Sequence, residues 1–120
     1  MSEIRANTIS DAAGTGPIAL TKQSAAKAWV NFNGTGTVAI RDSQNVSGLV
    51  DNSTANYDVN FSNNMNNANY GSTSASRNRA TGSSQSGNAV SSKRIEMYET
   101  VTGAASDVDN VNLAIHEDLA

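Results

Sequence analysis

His116 is the only histidine in the chain, and no serine or acid stands at a spacing that would make it a general base. It ends the run Asn110 to His116, in which Val111, Leu113 and Ile115 alternate onto one face. His116 falls on the other face and is expected in solvent or at a subunit contact. Asp107, Asp109, Glu117 and Asp118 form a C-terminal acidic cluster, but the central Gly and closing Glu of a calcium loop are missing, so the cluster reads as a solvated rim. Gly14-Thr15-Gly16 lacks the Lys-Ser/Thr that a phosphate-binding loop needs and reads as a turn. Glycoside hydrolysis needs two carboxylates flanking one bond, and Glu96 and Glu99 alternate onto different faces of their strand. Arg77, Arg79, Lys93 and Arg94 make a local positive region in an acidic chain, suited to an acidic partner surface or to no partner at all. There are no cysteines, which excludes disulfides, thiolate metal sites and cysteine nucleophiles. The expectation is a protein that is not an enzyme and takes no cofactor and no metal.

The elements that would carry these residues follow from composition and periodicity. The chain has 120 residues, a net charge of -3 and a pI of about 4.9, enough for one domain and a poor match to nucleic acid, which demands a basic face. No apolar run approaches the ~20 residues of a membrane helix, and the N-terminus lacks the apolar centre of a signal peptide, so no membrane partner is expected and synthesis is placed in the cytoplasm. Asn, Ser, Ala, Thr and Gly dominate. Leu, Ile, Val and Phe together fall below the ~20% line associated with disorder, yet they sit at strand spacing. A subunit of this kind is expected to bury only part of its core alone and to have the rest supplied by identical neighbours.

The clearest strand signal is Ala28 to Arg41. Ala28, Val30 and Phe32 point one way, Trp29, Asn31 and Asn33 the other; Val38 and Ile40 share a face beyond the turn Asn33-Gly34-Thr35-Gly36. The single Trp is expected to help anchor one layer of the core. Val46 to Val50 is a weaker strand. Asn56 to Ser62 turns Tyr57, Val59 and Phe61 inward, Lys93 to Val101 sets Ile95, Met97, Glu99 and Val101 against Arg94, Glu96, Tyr98 and Thr100, and Asn110 to His116 closes the chain. The expected core is therefore Val30, Phe32, Val38, Ile40, Tyr57, Val59, Phe61, Val111, Leu113 and Ile115. Short strands with turn signals every 8–12 residues predict an all-β fold, a single antiparallel β-sandwich or jelly-roll-like domain over residues 28–120. Gly71 to Ser92, rich in Ser, Gly and Asn, is expected to be an exposed mobile loop. Residues 1–27 read as an extended arm, with Ile4, Ile9, Ile18 and Leu20 on a polar segment broken by the only proline, Pro17.

The run Lys27-Ala28-Trp29-Val30-Asn31-Phe32-Asn33-Gly34-Thr35-Gly36-Thr37-Val38-Ala39-Ile40-Arg41-Asp42-Ser43 resembles a segment of tail-fibre and other virion proteins of tailed bacteriophages, especially marine ones. Asn56 to Phe61, Ala68 to Tyr70 and Val111 to Ile115 follow in the same order, and Ile9 to Gly16 is similar to the N-terminal attachment segments of such proteins. The resemblance covers most of the chain outside Gly71 to Ser92. It implies a virion location, on the capsid or the tail, and a homotrimer. The 120 residues leave no length for a shaft, which points to a short fibre or a capsid decoration protein.

Two functions are thus expected. One is a structural appendage fastened to capsid or tail proteins through Ile4, Ile9, Ile18 and Leu20. The other is a receptor-binding module for a bacterial surface glycan or protein.

Overall fold

The computed structural model describes residues 12–13, 26–77, 80–82, 87–99 and 101–117. Ile4, Ile9, Ile18 and Leu20, the expected anchoring residues, lie outside them, as do Arg79 and Asp118. Among the described residues nine strands form: β1 (Ala28–Asn33), β2 (Ala39–Gln44), β3 (Val46–Ser53), β4 (Asn56–Phe61), β5 (Gly71–Ser76), β6 (Ala80–Gly82), β7 (Asn88–Ala89), β8 (Ser92–Tyr98) and β9 (Val111–His116). One sheet runs in the order β2-β1-β9-β5; the other runs β3-β4-β8-β6, with β7 also pairing β8. Every pairing among them is antiparallel. The two sheets pack face to face as an all-β sandwich. The first and last of these strands are neighbours, with β9 inserted between β1 and β5.

The core is two strands wide in each sheet. On β1, β4, β8 and β9 every second residue is buried: Ala28, Val30 and Phe32; Tyr57, Val59 and Phe61; Lys93, Ile95 and Met97; Val111, Leu113 and Ile115. Each large apolar side chain removed from water here contributes about 1.5–3 kcal/mol. Phe32 meets Tyr57 edge to face with ring centroids 5.3 Å apart, and Phe61 meets Tyr70 in the same way at 6.1 Å, the geometry favoured by ring quadrupoles. Met65 and Tyr70, from the loop after β4, close one end of this core.

Burial thins out at the side strands. Ile40, expected in the core, is 37% exposed. Its strand β2 is the outer strand of its sheet, and its pairing shifts register at a bulge between Asn31 and Phe32, so Ile40 shares the inward face with Phe32 but has little across from it. Val38 is half-buried and packs against the core with Val46 and Leu49. Val101 is wholly outside, because β8 ends at Tyr98 and the chain turns at Gly103 with φ +69°. The expected loop from Gly71 to Ser92 contains three strands instead: β6 and β7 pair with β8, and β5 pairs along the whole of β9, from Gly71 opposite His116 to Ser76 opposite Val111. Its side chains are too small to announce a core face, but the backbone ladder of a neighbouring strand holds them without needing one.

The crossing from one sheet to the other takes a single residue. Asn45, between β2 and β3, has φ 56°, a left-handed conformation that Asn tolerates better than most residues. Its amide nitrogen donates to the carbonyls of Lys27 (3.2 Å) and Asn63 (3.1 Å), its side-chain oxygen accepts from the Asn63 backbone N–H (2.8 Å), and its own carbonyl accepts from Ser62 N–H at 3.1 Å. One side chain thereby ties the start of β1 and the end of β4 to the corner.

Candidate functional site

The outward face of the β2-β1-β9-β5 sheet gathers polar side chains around the single Trp. Because Val30 and Phe32 are driven inward, Trp29 and Asn31 must point outward. Register then builds two rows across the four strands. The first is Gln44, Trp29, Ala114 and Thr73; the second is Asp42, Asn31, Asn112 and Ala75. Trp29 is half-buried and does not anchor the core, contrary to the sequence expectation. It lies on the opposite side of its sheet from Phe32. Its Nε1–H donates to Gln44 Oε1 at 3.0 Å, which turns the nitrogen edge of the indole toward β2. In the second row Asn31 Nδ2 donates to both Asn110 Oδ1 and Asn112 Oδ1 at 2.7 Å, and Asn112 Nδ2 reaches Asn110 Oδ1 at 3.3 Å. Three asparagines are locked to one another on an otherwise open surface.

At one end of the sandwich a second polar group is built into the core. The Tyr57 hydroxyl lies 2.6 Å from both Asp107 Oδ1 and the Gly34 carbonyl oxygen. Burial, then the hydrogen bond to Asp107 and its charge, push the Tyr57 phenol far above the ordinary tyrosine range. Asp107 Oδ1 also accepts the Ala55 N–H at 2.6 Å, holding the left-handed turn residue Ala55 (φ 61°) between β3 and β4. At the other end Lys93 is 1% exposed and donates to Asn88 Oδ1. Burial pulls its ammonium below the ordinary lysine range. Near it the Tyr70 hydroxyl lies 2.9 Å from Ser92 O and 3.1 Å from Ala89 O, and burial raises its phenol.

The charged residues singled out in the sequence are dispersed by the fold. Asp107 serves the turn at Ala55, Asp109 lies 3.6 Å from Arg77, and Glu117 accepts the backbone N–H groups of Asn66 and Asn67. Among the described residues, the three members of the expected acidic rim thus make separate structural contacts. The expected positive region is also taken apart: Lys93 is buried, and Arg94 makes a two-pronged pair with Asp58 at 2.8 and 3.1 Å. His116 is exposed on the outward face, paired across from Gly71. Among the described residues no three metal-ligating side chains come together, and no helix is long and apolar enough to cross a membrane.

Asn45, Asp107 and Lys93 were not singled out for these roles by sequence reasoning. For Lys93 a signal existed, since the alternation of Ile95 and Met97 extends one step back to it. For Asp107 and Asn45 none did, because their partners lie 52 and 18 residues away.

Fold and site together define an antiparallel β-sandwich with a polar, single-aromatic outer face. Comparison with known proteins returns no matching family model, no matching curated protein and no matching solved structure.

Proposed function

We propose that this chain is a non-enzymatic structural protein of a tailed-bacteriophage virion. It forms a homotrimeric surface appendage, a short fibre or a capsid decoration, with residues 28–120 outward and residues 1–27 as the anchor. The observation that carries the reading is the unfinished seam of the sandwich along β2 and β3. Ile40 is 37% exposed there, beside the half-covered Val38, Val46 and Leu49. A subunit that leaves aliphatic residues uncovered next to its own core suits a symmetric assembly in which neighbours complete it. The resemblance of Lys27 to Ser43 to virion appendage proteins supports the same reading, because that run forms β1, its turn and most of β2.

The Trp29 face favours a second reading of the same domain, a tail-fibre module that recognises a host-surface glycan or protein. Copy number separates the two. Quantitative mass spectrometry of purified particles should find many copies per capsid for decoration and a few per tail for adhesion. Light scattering of the purified protein should give three copies. A stable compact monomer at micromolar concentration would remove the trimer from the proposal.

A further inference from the structure

The face around Trp29 has the chemistry of a sugar site, and we infer that it binds an uncharged pyranose of a surface glycan. This rests on the reading of the domain as a virion surface module. A sugar ring presents one apolar face and a rim of hydroxyls, each both donor and acceptor. Its site therefore needs an aromatic surface bordered by fixed polar groups of both kinds.

The two central rows supply that set. Gln44 spends its oxygen on the Trp29 indole, and its Nε2 donors make no hydrogen bond among the described residues. Asn31 spends its nitrogen on Asn110 and Asn112, which orients its Oδ1 as an unused acceptor. Each side chain is held at one end and open at the other, so little ordering entropy remains to be lost on binding. Ala114 and Thr73 follow Trp29 along its row. Both are short, so beside the indole a low step extends across the sheet for one to two strand spacings of about 4.8 Å each, and Thr73 brings a hydroxyl to its floor.

Charge decides which sugars fit. The two rows contain no cationic side chain, and their one charge is the carboxylate of Asp42. Within the two rows, sialic acids, uronic acids and phosphorylated sugars would meet the Asp42 carboxylate and no cation, with His116 one row further along β9, whereas a neutral hexose meets a hydrogen-bond acceptor. A single site of this kind binds weakly, and several copies on one particle supply the avidity.

Trp29 is the only tryptophan, so tryptophan fluorescence of the full-length protein, excited where tyrosine does not absorb, reports this site. The test titrates the protein with neutral gluco-, galacto- and manno-oligosaccharides and, in parallel, with sialylated and phosphorylated ones. A saturable shift with at least one neutral series, and none with the anionic series, is expected. Thr73→Arg, on an exposed position of the side strand β5, fills the step and should weaken that binding at least about tenfold, equivalent to ~1.4 kcal/mol, with an unchanged circular dichroism spectrum. Asn112→Ala, which removes one of the two asparagine oxygens that hold Asn31, should weaken it without touching the step. Absence of a saturable response to every neutral series, a preference for the anionic series, or binding indifferent to Thr73→Arg each overturns the inference. Mass spectrometry of purified particles separates the two levels. A chain present on the particle but silent toward sugars loses only the site, whereas a chain absent from particles loses the virion reading beneath it.

Discussion

Gly34→Ala should be among the most damaging one-carbon changes available in this protein. A Cβ at Gly34 would stand 2.8 Å from the Tyr57 hydroxyl oxygen, 2.9 Å from the Val108 carbonyl oxygen and 3.1 Å from Tyr57 Cζ. The Val108 carbonyl has little freedom to retreat, because it accepts the Gly34 N–H at 2.9 Å. Relief must come from the Tyr57 ring, which is fully buried and packed against Phe32. Overpacking costs about 1–3 kcal/mol, and dislodging a hydroxyl from a charged acceptor adds part of the ~1.5–3 kcal/mol such a bond is worth. A total of roughly 2–4 kcal/mol follows from these two, and each kcal/mol lowers Tm by about 4–8 °C in a domain of this size. Tyr57→Phe alone loses the bond but frees the space. In the double variant the 2.8 Å contact no longer exists while the Val108 contact does, so the combined loss should fall short of the sum by at least ~0.5 kcal/mol. The assay is urea unfolding followed by circular dichroism at one fixed protein concentration, which keeps any assembly constant. Strictly additive losses, or a Gly34→Ala protein as stable as the parent, would refute the reasoning.

Three further outcomes are expected. The raised Tyr57 and Tyr70 phenols contribute stability that is fully present below the unfolded value of 10.0 and is lost as pH rises above it, at about 1.36 kcal/mol per pH unit for each. Lys93, whose folded pKa is lowered, acts in the opposite sense up to 10.5, so the comparison of parent with Tyr57→Phe in alkaline melts isolates the tyrosine, and the variant should show the shallower decline. Asp58, held below its ordinary 3.8 by the Arg94 hydrogen bonds, contributes stability that is present above that pH and lost as pH falls below it. Asp58→Asn should therefore cost about 0.5–1 kcal/mol at pH 7, the pair being partly exposed, and the difference from the parent should disappear in acid melts. Deleting residues 1–27 should abolish decoration of particles that lack the protein, and full occupancy by the truncated form would place the anchor in the sandwich.

The central strands could be read from residue order alone. Alternation in Ala28 to Asn33, Asn56 to Phe61 and Val111 to His116 has the period of a strand buried on one side, and large side chains make the buried side visible. That same rule carried the fold class, the four central strands and most of the core. It failed where a strand lies at the side of its sheet. β5 has only Ser, Thr, Ala and Gly to show, and its existence depends on the free backbone of β9, which is far away in sequence. Ile40 alternates correctly and still faces water, because whether an inward position is covered depends on what the opposite sheet places there. Trp29 illustrates the division within one residue. Its parity against Val30 and Phe32 was legible, but its neighbours Gln44, Ala114 and Thr73 come from three other strands. Register across antiparallel ladders, which no local pattern encodes, makes a polar face out of them.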